Sequence, residues 1–77
     1  MEDILNKLRN ELKIRGFSHL TVRNYCFFVE KFLKKANKNP SDLNEEDIKS
    51  YLGDLFDTKS KNTIMLAIAS LKFFYTQ

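Results

Sequence analysis

The chain is poor in the residues that most often carry chemistry or interrupt regular structure. It holds one cysteine, one histidine, one proline and two glycines in 77 positions, and no tryptophan. A single cysteine excludes an internal disulfide and a multi-cysteine zinc site, and it points to a reducing, intracellular setting. Gly16 and Gly53 stand apart, so no glycine-rich loop can cradle a phosphate. His19 has no second histidine to share a metal or act as an acid–base partner, and no serine or cysteine stands in a nucleophile setting. No catalytic group, cofactor or metal is therefore expected. No apolar run approaches the roughly 20 residues that cross a bilayer, and no secretory signal precedes the first amphipathic stretch. No segment alternates with period two for long enough to form a strand.

What remains is enough for one small domain covering residues 1–77. The chain is 43% hydrophobic and carries three tyrosines and seven phenylalanines, sufficient for a modest core. The formal charge of +3 conceals a division. Residues 42–57 contain six acids and one base, a net of −5, while the rest contains 12 bases and four acids, a net of +8. A basic face of that kind suits a polyanion through counterion release, although a solvated lysine-rich surface explains the charge equally simply.

Ser18-His19-Leu20-Thr21-Val22 and Ser60-Lys61-Asn62-Thr63-Ile64 repeat one phrase, Ser-x-x-Thr followed by a β-branched apolar residue. Each opens a stretch with helical periodicity, and a serine N-cap accepts a hydrogen bond from a first-turn N–H group. Four helices are expected. The first covers about 3–15 and ends at Gly16. The second covers about 19–36, with Val22, Tyr25, Cys26, Val29, Phe32, Leu33 and Ala36 inward and Phe17 stapled to Val22. A loop at 37–42 precedes a third helix capped by Asn44, with Ile48, Tyr51, Leu52, Leu55 and Phe56 inward. Gly53 inside it suggests a close helix crossing. The fourth covers about 61–75, with Ile64, Ala67, Ile68, Leu71, Phe74 and Tyr75 inward. The fold class is all-α, a bundle of four helices.

Helix beginnings offer unpaired N–H groups and a positive dipole end, which suit phosphate oxygens. The residues at the two beginnings are His19, Thr21, Arg23 and Asn24 on one helix and Ser60, Lys61, Asn62 and Thr63 on the other. Arginine and lysine serve phosphate or guanine, asparagine can pair with adenine, and a threonine methyl can meet a thymine methyl. An ordinary solvated helix start accounts for the same residues. Phe27 and Phe28 are expected off the core stripe, and Lys31, Lys34 and Lys35 to extend the basic side.

Gly16–Tyr25, Leu43–Leu52, Ser60–Ile64 and Leu71–Tyr75, in that order and at these spacings, resemble the N-terminal core-binding (SAM-like) domain of the tyrosine recombinase and phage integrase family, Xer-type enzymes included. The resemblance spans essentially the whole chain. It implies a helical domain that, with a larger catalytic domain after residue 77, closes around double-stranded DNA as a clamp. Its second and fourth helices would face the major groove and its phosphates. By resemblance Thr21, Asn24 and Thr63 occupy DNA-contacting positions, and Leu20 stands where a basic residue is frequent. Arg23, Lys61 and Asn62 join them from their outward placement alone. The acidic third helix would lie away from DNA. The resemblance further implies a cytoplasmic protein, other recombinase protomers as partners, and no catalytic residue in this segment. The apolar Leu66 and Phe73 would pack against the catalytic domain or an interdomain linker. Two other readings remain: a SAM-like module for protein–protein contact, and a helix-turn-helix regulator, for which only the loop at 57–60 is short enough.

Overall fold

Local signals at the chain's turns set where each helix begins and ends in the computed structural model, which describes residues 2–76. The elements are α1 (Glu2–Ile14), α2 (His19–Ala36), a 3-10 turn (Pro40–Asp42), α3 (Glu45–Thr58) and α4 (Lys61–Thr76), with no strand among the described residues. Gly16 follows α1 with φ +86°, a left-handed conformation that a side chain would strain. Asn37 ends α2 in the same region, φ 51°, and its N–H donates to the Leu33 carbonyl at 3.0 Å. Asn44 and Asp47 cap α3 reciprocally: Asn44 Oδ1 accepts from the Asp47 N–H at 3.2 Å, and the Asp47 carboxylate accepts from the Asn44 N–H at 3.0 Å. That backbone bond, together with Lys38 Nζ, holds the Asp47 carboxyl below the usual carboxylate range.

Helix α2 is the centre of the bundle and packs against each of the other three. Phe32, Val29 and Leu12 are fully buried, surrounded by Leu5, Leu8, Val22, Leu33, Ala67 and Leu71. The molecule is only 18 Å thick along its shortest axis, about two helix diameters, so side chains off the central stripe soon reach solvent.

Several expectations read from the sequence need correction. Phe28 is buried rather than outward, because α3 covers it and the Tyr51 hydroxyl donates to its carbonyl at 3.3 Å. Phe56 is 64% exposed and Tyr75 43% exposed; Tyr75 keeps ring contacts with Phe32 (6.4 Å) and Phe74 (5.3 Å) while the rest of its side chain reaches solvent near the end of α4. Ser70 is fully buried at a position the apolar pattern skipped. Its hydroxyl is satisfied by the Ala67 carbonyl at 2.8 Å, and its small size suits the close α2–α4 packing. Phe17 packs by ring contacts on Tyr25 (5.9 Å) and Phe73 (5.7 Å), joining the start of α2 to the end of α4. Phe73 is thereby engaged within the domain.

A last correction concerns Gly53. No atom lies within 4 Å of where its Cβ would be, so no helix crosses there. Gly53→Ala is therefore expected to stabilise the domain by up to about 1 kcal/mol through helix propensity. A thermal melt should show a midpoint raised by about 4–8 °C per kcal/mol. A lowered midpoint would reveal a constraint on Gly53 that the packing does not contain.

Candidate nucleic-acid interface

Both Ser-x-x-Thr phrases build the same device. Ser18 Oγ accepts from the Thr21 N–H at 3.2 Å and lies 3.0 Å from Thr21 Oγ1. Ser60 Oγ accepts from the Thr63 N–H at 3.4 Å and lies 3.2 Å from Thr63 Oγ1. Each serine is thus spent on its own helix, while the threonine beside it stands half-buried at the helix edge.

Asn24, one turn beyond Thr21 on α2, lines a groove of about 620 Å³ together with Thr63 from the first turn of α4. Phe28, Tyr51, Leu55 and Leu66 form its apolar walls, and Lys31 and Lys59 add cations. Burial raises the Tyr51 hydroxyl above its ordinary pKa, so it remains a neutral donor. Ser60, Lys61 and Asn62 are exposed beside Thr63.

His19 and Arg23 fall elsewhere. They line a second groove, of about 630 Å³, between α1 and α2, with Arg9 and Lys13. Of the eight candidate residues, Asn24 and Thr63 thus line one groove and His19 and Arg23 the other, and Phe27 lines both. Arg9 and Lys13 were not singled out from sequence. Their four-residue spacing beside the Leu5–Leu8–Leu12 stripe is the signal that marks them. Cys26 also borders this groove, but burial, partly offset by Arg9 and Lys13, raises its thiol pKa, leaving it protonated and unreactive.

Ion pairing sorts the lysines. Lys34 pairs with Glu30, Lys35 with Asp54, Lys38 with Asp47 and Lys49 with Glu45. Lys34 and Lys35 therefore do not extend the basic side as expected, since carboxylates on α2 and α3 neutralise them. Among the described residues, Lys7, Arg9, Lys13, Arg23, Lys31, Lys59, Lys61 and Lys72 have no carboxylate partner. The uncompensated positive charge is thus spread over α1, α2 and α4, with Lys31 and Lys59 at the Asn24–Thr63 groove.

A small all-α domain with such a surface is a recognisable class, and sequence comparison gives its family. The chain belongs to the N-terminal SAM-like domain family of phage integrases, whose family model matches residues 4–77. It is also 32% identical over 78 residues to y4qK of Sinorhizobium fredii (strain NBRC 101917 / NGR234), a protein bearing the provisional name integrase/recombinase. That alignment covers 99% of this chain and 25% of y4qK, so the chain spans about a quarter of its relative's length. No solved structure matches it at a significant level. Among the described residues, no helix is long and apolar enough to cross a membrane.

Proposed function

We propose that this chain is the DNA-holding domain of a site-specific tyrosine recombinase, gripping duplex DNA beside a catalytic domain on the same polypeptide. The observation that carries the reading is the meeting of Asn24, Thr63, Lys31 and Lys59 at one groove, where neither lysine has a carboxylate partner. Lys31, Lys59, Lys61 and Arg23 neutralise phosphates, and the Thr21 and Thr63 hydroxyls and first-turn N–H groups bond phosphate oxygens. Asn24 faces base edges. His19 and Ser60 support the same backbone contacts from the helix starts. The domain itself breaks no DNA strand; its part is to fix register and orientation for the catalytic domain. Other recombinase protomers assemble on the same DNA, and the protein works in the cytoplasm.

Titration of fluorescent duplex with the chain tests this. Binding is expected to be weak, with log K falling against log salt by about 0.9 for each phosphate neutralised. NMR shifts on adding duplex are expected at residues 18–24 and 59–65. The protein-contact reading retains one observation in its favour, the exposure of Phe56 (64%) and Met65 (59%). Salt-insensitive or absent binding, or shifts gathered at Phe56 and Met65, would favour that reading instead.

A further inference from the structure

An exposed phenylalanine on a cationic helix needs an explanation that its charges alone do not supply. Phe27 is 50% exposed, although a one-residue offset places Phe28 in the core. Its ring is held in direction, edge-to-face on Phe28 at 5.4 Å and 78°, with the Lys31 ammonium 5.5 Å from its centre. Leu20, two turns earlier on the same line of α2, is 65% exposed. The two side chains form an apolar crest, and Phe27 borders two grooves, one with Lys31 and Lys59 and the other with Arg9, Lys13 and Arg23 beside Glu2 and Glu30.

Such a crest fits a partner that is anionic at its edges and has apolar groups between them. The major groove of duplex DNA has that layout. It is about 12 Å wide between phosphate backbones and admits an α-helix about 10–12 Å across. The one apolar group on its floor is the C5-methyl of thymine, and a phenyl ring, with no hydrogen-bonding atom, can gain only from that feature.

We propose that Phe27, with Leu20 beside it, contacts thymine C5-methyl groups in the major groove and so biases binding toward T-bearing sequence. This rests on the DNA-holding reading above. It assigns Phe27 a part in specificity distinct from the phosphate contacts of the lysines.

The test varies the DNA before the protein. The chain is titrated with a short duplex of alternating A·T pairs and with its counterpart carrying deoxyuridine for thymidine. A second pair compares G·C duplexes with and without 5-methylcytosine, which returns the methyl to the same groove position. Each methyl in contact is expected to tighten Kd about fourfold, in both pairs and with the salt slope unchanged. Phe27→Ala is expected to bind methylated and unmethylated duplexes alike, while Phe27→Leu keeps part of the preference. Should Phe27→Ala fail to fold, the comparison between duplexes with the unaltered chain still decides. Equal affinity for thymine and uracil duplexes overturns the methyl contact and leaves DNA binding standing. Tighter binding to the single strands assigns Phe27 to base stacking and overturns it too. Binding to no DNA overturns this inference and the reading beneath it together.

Discussion

Phe32→Ala is expected to abolish the cooperative thermal transition, or to lower its midpoint by at least about 12 °C. Phe32 is fully buried in the C-terminal part of α2, with the rings of Tyr51 at 5.5 Å and Tyr75 at 6.4 Å. Truncating a core phenylalanine costs about 3–5 kcal/mol, since transfer free energy is lost and the space left behind closes only partly. A domain of this length is stable by only about 4–12 kcal/mol. At about 4–8 °C per kcal/mol, even the lower cost moves the midpoint by the amount stated. Far-UV circular dichroism against temperature measures it. A shift below about 5 °C would mean that the core is not organised around this ring.

The second large effect concerns binding. Replacing Lys31, Lys59 and Lys61 together with glutamine is expected to make the slope of log K against log salt shallower by about 2.7, if each ammonium neutralises one phosphate. Affinity at low salt should fall by on the order of a hundredfold. The matching control replaces Lys34, Lys35 and Lys49, which changes net charge equally. These ammonium groups already face Glu30, Asp54 and Glu45. They therefore release fewer counterions on binding, and the control should retain most of the affinity. Equal loss in both triple variants would mean that DNA responds to total charge only, and the α2–α4 surface would lose its special status. All six lysines are exposed, so both variants should melt near the parent temperature.

The contrast between the two lysine sets could not be read along the chain. Lys31, Lys34 and Lys35 sit within five residues on one helix and look equivalent in sequence. Lys34 is compensated by its own helix, through Glu30 four residues earlier, a spacing visible in sequence. Lys35 is compensated by Asp54 on α3, which only the packing of α2 against α3 brings near. The same packing separates Phe27 from Phe28. Helical periodicity places the two about 100° apart at the border of the core stripe. Which one is covered depends on where α3 and Tyr51 lie. The assignment of Phe56 to the core fails for the converse reason: it has the right spacing, but α3 packs so that the adjacent Leu55 meets the core and Phe56 is left 64% exposed.

The grouping of the binding residues divides in the same way. Thr21, Asn24 and Thr63 carry the family resemblance and could be singled out one by one. That Asn24 and Thr63 share a groove, while His19 and Arg23 join Arg9 and Lys13 in another, follows from the packing of α4 and α1 against different parts of α2.

By itself the sequence determined the four helices and their ends, because Ser18, Asn44, Ser60 and Gly16 act on hydrogen bonds and φ angles within a few residues of themselves. It also determined the family, through motifs whose order survives without coordinates. Tertiary structure alone decided which flank of each helix stays wet, which cations remain uncompensated, and which exposed side chains share a groove. Those properties depend on residues far apart in the chain, and charge compensation and burial act through space.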